Sequence, residues 1–294
     1  MTKRIALLGH PVAHSISPAF QQAALDACGV DARYEAWDTP PEDLRIAVER
    51  LRSGDLLGAN VTVPHKVAAM RLVDRPDALA ERVGALNTIV HRRGLLEATN
   101  TDVTGILRAL AAAEVEVRGA EVLLVGAGGA ARAVVVAMRQ AGAARVVVAN
   151  RTPERAAALA VLGGDDLDLR YAPLDAGDAT FRACAARARI IVQSTSLGMR
   201  HGPDEAANPV PGELMGPGQV AFDLVYVPEE TPFLRAAAAA GARPVGGLAM
   251  LVHQGAEAFR LWTGVEPPVE VMFEAARRAL AGRSTPAGGG PEDG

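Results

Sequence analysis

The sequence lacks the features that are typical of disulfide-rich and metal-binding proteins. Its 294 residues include only two cysteines, Cys28 and Cys184, and neither belongs to a CxxC pair. We therefore expect free thiols in a reducing cytoplasm rather than a disulfide framework. Six histidines are spread from His10 to His253, and with no paired cysteines beside them the sequence predicts no metal site.

Long apolar runs and a strong excess of charge are also missing. No stretch of 18 apolar residues occurs, which predicts that the chain does not span a membrane. Residues 1–4 lead directly into a strand-like run, so we expect no signal peptide. A net charge of −4 and an isoelectric point of about 5.9 argue against nucleic acid as the main partner. The length and the 49% hydrophobic content suit two domains with cores of their own.

The feature around which the chain is organised is residues 121–152, EVLLVGAGGAARAVVVAMRQAGAARVVVANRT. An apolar run at Val122–Gly126 ends at a glycine, residues Gly126–Ala131 fit G-x-G-x-x-A, and a β-branched run follows at Val146–Val148. This order predicts strand, tight turn, helix and strand, which is one βαβ unit. The glycines of such a unit let the backbone approach a pyrophosphate. The sequence thus predicts dinucleotide binding; the alternative is a glycine-rich turn used only for packing.

The residues after the second strand indicate which dinucleotide is bound. NAD sites usually place an acid there for the ribose 2′-hydroxyl. This chain has Asn150-Arg151-Thr152 instead, with Arg155 one turn further on. Guanidinium groups suit a 2′-phosphate through charge-assisted hydrogen bonds, so NADP is favoured over NAD. The alternative is a pair of solvated surface charges.

The first candidate ligand contacts lie in a loop near the N-terminus. Ser17 is followed by Pro18 and is predicted to cap a helix that ends near Cys28. Ser15 has no such structural role in this interpretation, so it is the stronger candidate of the two serines for a ligand contact.

A second candidate is Lys66. Residues 56–63 predict a strand, and Pro64 is expected to open a helix that runs to Leu72. Lys66 would then lie in the first turn, where the helix dipole disfavours a charged ammonium and so favours proton transfer. A lysine is far more often a surface charge, so its position alone proves little.

Asp102 follows a predicted hairpin. Residues 88–91 and 95–99 should form the two strands, with the turn at 92–94, and a helix should follow at 103–113. From its position alone, Asp102 is best interpreted as the N-cap of that helix.

The rest of the chain continues as alternating strands and helices. We predict a helix at 153–162, strands at 169–172, 188–193 and 219–224, a turn on the ligand side of the sheet at 194–199, and helices at 231–240, 248–262 and 268–280. Residues 284–294 are predicted to be a disordered tail.

Taken in order, several motifs resemble those of the shikimate dehydrogenase family. They are Ser15-x-Ser17-Pro18, Asn60-Val61-Thr62-Val63-Pro64-His65-Lys66, Gly84-Ala85-x-Asn87-Thr88, Asn100-Thr101-Asp102, the GAGGAA loop, Asn150-Arg151-Thr152 and Gly247-Leu248-x-Met250-Leu251-x-x-Gln254. The resemblance covers about residues 3–280. It implies a substrate-binding α/β domain at 1–101 completed by C-terminal helices at 246–283, a Rossmann-type NADP-binding domain at 102–245, and a cleft between them.

The resemblance further implies the NADPH-dependent, reversible reduction of 3-dehydroshikimate to shikimate, a cytoplasmic step of chorismate and aromatic amino acid biosynthesis. A homodimer is left open, and no nucleic-acid, membrane or metal partner is implied. Lys66 and Asp102 resemble the catalytic acid/base and its partner. The residues that resemble substrate contacts are Ser15, Ser17, Thr62, Asn87, Tyr226 and Gln254. Those that resemble NADP(H) contacts are Gly126, Ala127, Gly128, Gly129, Ala130, Asn150, Arg151, Thr152, Arg155, Leu224 and Gly247.

Some details depart from the family pattern, and other functions compete. The turn at 193–199 reads QSTSLGM where the family more often has Asn-Ala-Thr, and Leu224 stands where some members have methionine. One alternative is a quinate/shikimate dehydrogenase with broader substrate or NAD use, against which Arg151 argues. A second is another NADP-linked enzyme such as a methylenetetrahydrofolate dehydrogenase. A third is a non-catalytic NADP-sensing module, which would not need both Lys66 and Asp102.

Overall fold

Two six-stranded sheets form the framework of the computed structural model, which describes residues 2–284. The helices and strands of the first half are β1 (Lys3–Gly9), α1 (Ser17–Ala27), β2 (Ala32–Asp38), α2 (Leu44–Arg50), β3 (Leu56–Val61), β4 (Arg75–Pro76), α3 (Ala78–Val83), β5 (Thr88–Arg92), β6 (Leu95–Thr99) and α4 (Thr101–Ala112). Those of the second half are β7 (Glu121–Val125), α5 (Gly129–Gln140), β8 (Arg145–Asn150), α6 (Pro153–Ala157), β9 (Asp168–Pro173), α7 (Ala179–Arg187), β10 (Ile190–Gln193), β11 (Val220–Asp223), α8 (Pro232–Ala239), β12 (Arg243–Val245), α9 (Leu248–Thr263) and α10 (Val269–Ser284).

The first sheet is mixed. Its strand order is β2-β1-β3-β5-β6-β4, with β1 parallel to both neighbours and β5–β6 an antiparallel hairpin. The hairpin turn is formed by Arg93 and Gly94, both with positive φ, which matches the twist of the flanking strands. The predicted hairpin is therefore confirmed.

The second sheet is parallel throughout and has the order β12-β11-β10-β7-β8-β9. This is the doubly wound order of dinucleotide-binding folds, in which ligands bind where the order reverses, between β7 and β10. The apolar residues of β7 and β8 are buried because helices cover both faces of such a sheet. The predicted βαβ unit and the α/β class with two domains are confirmed.

The last two helices return to the first sheet. α9 packs along α4, and α10 packs against α1. The indole nitrogen of Trp262 in α9 donates to the carbonyl oxygen of Ile89 in β5 at 2.8 Å. The chain therefore passes from the first half to the second and back. Among residues 2–284, no helix is long and apolar enough to cross a bilayer.

Two helix predictions are wrong, and four short elements were not predicted. No α-helix opens at Pro64: the Lys66 carbonyl accepts the Leu86 N–H at 2.9 Å instead of an N–H in its own turn, and only a short 3-10 helix, Ala68–Arg71, follows. The helix predicted at 153–162 stops at Ala157 and gives way to a 3-10 turn. Helices α3 and α7 and strands β4 and β12 have no counterpart in the sequence-based prediction.

The predicted caps also need correction. Ser17 does not cap α1, because it is already the first helical residue and is buried. Asp102 does not cap α4: the Asn100 side chain does so by accepting the Asp102 N–H at 3.1 Å. Of the predicted tail, residues 285–294 lie outside the described residues, and Ser284 is the last residue of α10.

Candidate active site

A cavity lies between the two sheets and brings all eight predicted catalytic and substrate residues together. Its lining consists of Leu7, Ser15, Ser17, Asn60, Val61, Thr62, Lys66, Asn87, Asp102, Ala130, Leu224, Tyr226, Met250, Leu251 and Gln254. These residues come from strands β1 and β3, from the loops after β1, β3, α3 and β11, and from helices α1, α4, α5 and α9. The lining is thus assembled from both halves of the molecule.

The charged centre of the cavity is a lysine–aspartate pair. Lys66 Nζ lies 2.5 Å from Asp102 Oδ2. The Lys66 side chain is 15% exposed and that of Asp102 only 3%. A pair this close to the protein interior is screened little by solvent, and the lysine keeps two N–H donors for a ligand. The support for a catalytic Lys66 is this partner, since the lysine lies in a loop and not at a helix N-terminus.

Asn87 connects this pair to the opposite wall. Its Nδ2 lies 2.8 Å from Asp102 Oδ1 and 3.1 Å from Gln254 Oε1, while its Oδ1 accepts the Thr101 N–H at 2.7 Å. Both ends of a buried amide are therefore used, which fixes its orientation. Because Asp102 is held by Lys66 on one oxygen and by Asn87 on the other, its carboxylate cannot rotate freely.

Both serines of the N-terminal loop line the cavity, but it is Ser15 and not Ser17 that makes a side-chain hydrogen bond at the start of α1. Ser15 Oγ accepts the Ser17 N–H at 3.2 Å, so Ser15 is the residue that stabilises the start of α1. Ser17 is 6% exposed and faces the cavity from the first turn. Ser15 and Thr62 also line the cavity, which therefore presents three hydroxyl groups on one side.

Asn60 and Tyr34 are polar groups of the site that sequence reasoning missed. Asn60 lines the cavity, accepts the Tyr34 hydroxyl on Oδ1 at 2.7 Å, and donates to the Asn87 carbonyl at 3.1 Å. Burial raises the pKa of Tyr34 far above its ordinary value, so its hydroxyl stays a donor. The signal was present: Asn60 is two residues before Thr62 in an extended segment, which places the two side chains on one face.

The loop after β11 closes the far side of the cavity with Leu224 and Tyr226. It is anchored by Asp223, which is fully buried and accepts the Thr231 hydroxyl at 2.6 Å and the Val225 N–H at 2.9 Å. Burial raises the pKa of Asp223 to about 6. Gly247 does not line the cavity; it packs on the backbone of Leu224 and Val225, where an added Cβ would lie 2.7 Å from both carbonyl oxygens.

The glycine loop lies at the carboxyl end of β7. Gly126 has φ +108°, and an added Cβ there would lie 2.7 Å from Ser194 Oγ on the neighbouring loop after β10, so only glycine fits. The N-terminus of α5 has no side-chain cap, and the space beside Gly128 is open. Uncapped N–H groups facing open space fit a dinucleotide pyrophosphate. Ala130 of the same turn lines the cavity, whereas Gly126, Ala127, Gly128 and Gly129 lie outside its lining.

The arginines predicted to read the 2′-phosphate lie at the carboxyl end of β8, outside the cavity lining. Asn150 is partly exposed, and Arg151, Thr152 and Arg155 are exposed. Within residues 2–284, neither guanidinium has an ion-pair partner, so both are available to an anion. Asn150 Nδ2 donates to the Thr152 carbonyl at 2.9 Å and shapes this turn. Strand order, glycine loop, arginines and the lysine–aspartate pair together define a dinucleotide-dependent enzyme of two α/β domains.

Comparison with known proteins identifies the family. The substrate-binding domain of shikimate dehydrogenase matches residues 7–89, shikimate/quinate 5-dehydrogenase matches 109–201, and the C-terminal domain of shikimate 5′-dehydrogenase matches 247–277. The NADP(+) shikimate dehydrogenase of Moorella thermoacetica is 46% identical over 296 residues, covering 100% of this chain and 97% of that protein. The chain belongs to the shikimate dehydrogenase family.

Solved structures of shikimate dehydrogenases have the same fold as this chain. The Thermus thermophilus shikimate 5-dehydrogenase in complex with NADP(H) and shikimate is 46% identical, with a TM-score of 0.84 over 95% of this chain and 100% of that one. The Listeria monocytogenes enzyme in complex with shikimate and NAD is 31% identical, with a TM-score of 0.85 over 93% and 96%.

Proposed function

We propose that this chain catalyses the NADPH-dependent, reversible reduction of 3-dehydroshikimate to shikimate, a step of chorismate and aromatic amino acid biosynthesis. The observation that carries the proposal is the Lys66–Asp102 pair, with Nζ and Oδ2 2.5 Å apart, in a cavity that also contains Ala130 of the dinucleotide loop. The family and its NADP(+)-dependent relatives support the same reaction.

The polar lining suits a small ring that carries a carboxylate and several hydroxyl groups. Ser15, Ser17 and Thr62 offer hydroxyls, and Asn87 and Gln254 offer amides. Each of these groups can donate or accept a hydrogen bond without adding bulk. We propose that these five residues, together with Tyr226, bind the substrate.

Lys66 is the proposed acid/base. NADPH, when bound, supplies the hydride that reduces the 3-keto carbon. As the substrate oxygen gains negative charge, the Lys66 ammonium stabilises it and donates a proton, and it accepts the proton in the reverse direction. Asp102 holds Lys66 in place and offers its carboxylate to a substrate hydroxyl. The apolar residues Leu224 and Met250 restrict the access of water to that side of the cavity.

The cofactor assignment has two parts. We propose that the loop Gly126–Ala130 holds the pyrophosphate with main-chain N–H groups at the start of α5, with Leu224 and Gly247 near the nicotinamide. Asn150, Arg151, Thr152 and Arg155 hold the adenosine 2′-phosphate. The structure fits this role because the arginines are exposed and the carboxyl end of β8 carries no acid that would favour an NAD ribose.

We also propose domain boundaries at 1–101 with 246–283 for the substrate domain and at 102–245 for the NADP domain. The cytoplasmic location stays a prediction from the sequence, and a homodimer stays open. Light scattering after size-exclusion chromatography measures the oligomeric state.

The decisive experiment is a matrix of initial rates for shikimate and quinate, each with NADP⁺ and NAD⁺, followed at the NADPH absorbance band. The proposal requires the highest kcat/KM for shikimate with NADP⁺. A quinate/shikimate dehydrogenase, which the matched shikimate/quinate family leaves open, would instead turn over both acids at comparable rates. Binding of NADP⁺ without turnover of either acid would indicate a sensing module and refute the proposal.

A further inference from the structure

Arg132 joins the dinucleotide helix to the other half of the molecule. It lies on α5, three residues after Gly129, and its Nε donates to the main-chain oxygen of Val83 at 2.6 Å. Val83 is the last residue of α3, next to the first sheet. Carbonyl groups at a helix C-terminus lack partners in their own helix and carry partial negative charge, so a cationic donor there is favourable. The hydrogen bond therefore connects α5 with α3 directly.

The turn after α3 is shaped around this guanidinium. Gly84 has φ +67°, the left-handed conformation that ends many helices. A Cβ added to it would run into the Arg132 guanidinium. Residue 84 is thus a glycine for two reasons, and the arginine fits closely over the turn.

The segment that follows Gly84 leads straight to the catalytic pair. The Leu86 N–H donates to the Lys66 carbonyl at 2.9 Å, so the lysine backbone is attached to this segment. The Asn100 side chain, which caps the helix of Asp102, donates to the Ala85 carbonyl at 2.8 Å. Asn87 follows Leu86 in the same segment, and its side-chain amide donates to Asp102. A displacement of this turn would move both members of the pair.

The end of the helix that carries Arg132 is also the end that we assign to the cofactor. The N-terminus of α5 is the proposed pyrophosphate site, and a Cβ added to Gly129 would lie 3.5 Å from the Lys66 Cβ. Arg132 is one turn away along a rigid helix. Arg132 therefore adds a link between the proposed cofactor site and the segment that holds Lys66 and Asp102, beside the packing of α4 on α5.

We propose that Arg132 is a positioning residue that fixes the Lys66–Asp102 pair relative to the dinucleotide end of α5. The inference rests on the proposed function. Arg132 lies outside the cavity lining, so each ligand should still bind to its own half when the arginine is replaced. Only the alignment of the two halves in the ternary complex should suffer. A misplacement of roughly 1 Å can cost about 100-fold in rate.

Three variants test the proposal in the full-length protein. Arg132→Met keeps an unbranched stem that reaches the position of the arginine Nε, and it removes every donor. Arg132→Gln places an N–H donor the same number of bonds from Cα as the arginine Nε. Arg139→Met is the matched control: Arg139 is on the same helix, but its Nε pairs with Asp166 of the second half at 2.5 Å. We expect Arg132→Met to lower kcat by about 10- to 100-fold, Arg132→Gln to retain more of it, and Arg139→Met to keep it near the wild-type value.

The second measurement is the binary dissociation constant for NADPH, by fluorescence, and for shikimate, by calorimetry. Both dissociation constants should stay within about threefold of wild type in Arg132→Met, because Arg132 is proposed to align the two ligands and not to bind either of them. A kcat within about twofold of wild type would overturn the inference, as would an equal loss in Arg139→Met. An equivalent loss of NADPH affinity would assign Arg132 to the cofactor site instead. A wild-type enzyme inactive on shikimate would refute the proposed function itself, which is a different result from an active wild type with an unaffected variant.

Discussion

Replacing Lys66 with methionine tests the proposed chemistry most directly. Methionine fills nearly the same space as the lysine stem and removes only the ammonium. The substrate oxygen then loses its proton donor, for which the usual effect is a loss of about 10²- to 10⁴-fold in kcat, or roughly 3–5 kcal/mol of barrier. We therefore expect kcat to fall by that factor, while the KM for NADP⁺ changes little because Lys66 is not among the residues that we propose to bind the cofactor.

The structure also predicts a loss of stability in this variant. Asp102 is 2% exposed, and removing its cation leaves a buried carboxylate with Asn87 as its remaining side-chain partner. Breaking a buried pair from one side typically costs about 3–5 kcal/mol. The opening of the cavity to solvent should reduce this to about 1–3 kcal/mol.

A double variant separates the two effects. Lys66→Met/Asp102→Asn keeps the shape of the site and removes the unpaired charge, so the free energy of unfolding should recover while kcat stays low. Initial rates at saturating shikimate and urea unfolding curves measure the two quantities. A single variant Lys66→Met whose kcat remains within about threefold of wild type would show that the proton comes from elsewhere.

Three further predictions concern the cofactor, the substrate and pH. Arg151→Ala should raise the KM for NADP⁺ by about 10- to 100-fold, since a charged hydrogen bond contributes about 1.5–3 kcal/mol, and should leave NAD⁺ kinetics unchanged; equal damage to both cofactors would mean a structural role for Arg151. Ser15→Ala and Gln254→Ala should each raise the KM for shikimate, because each variant loses a hydrogen bond worth about 0.5–1.5 kcal/mol, or about 3 kcal/mol if that bond is made to the substrate carboxylate. An unchanged KM in both variants would contradict the proposed placement of the substrate. Burial raises the pKa of Asp223 to about 6 from its ordinary 3.8. Between about pH 4 and pH 6, Asp223 is therefore protonated in the native state and ionised in the unfolded chain. The free energy of unfolding should fall by about 3 kcal/mol as pH rises through that window. Asp223→Asn should remove this fall, and an identical slope in wild type and variant would refute the assignment.

The sequence predicted most of the second half because its signals are local. The apolar runs of β7 and β8 and the glycine loop between them occur close together in the chain, and the structure has them where the pattern requires. Helix α7 was missed because it has only nine residues, and its i, i+3, i+4 apolar pattern, Phe181, Cys184 and Ala185, spans little more than one turn. The helix predicted after Pro64 failed because tertiary contacts, such as the bond from Leu86 to Lys66, took the groups that a helix would need.

The candidate site could be predicted as a set of residues but not as a geometry. Motif resemblance named Lys66, Asp102, Asn87 and Gln254, and the structure places all four on one cavity. Their mutual hydrogen bonds depend on packing between elements far apart in the chain, which no local pattern records. The assignment of Ser17 as the helix cap shows the limit, because it depends on where the first turn of α1 begins.

The return of α9 and α10 to the first sheet has a consequence for the order in which a newly made chain can fold. Thr101 and Gln254 share the same hydrogen-bond network and are 153 positions apart. At about 5–20 residues per second, a ribosome needs roughly 8–30 s to synthesise that interval. During this time the apolar surface of α1 that α10 covers, and the β5 carbonyl that Trp262 satisfies, remain exposed to water. Among the described residues of the last two helices, Ala249 and Met250 alone belong to the core of the β7–β12 sheet, so most of that core can form before the substrate side of the cavity is complete.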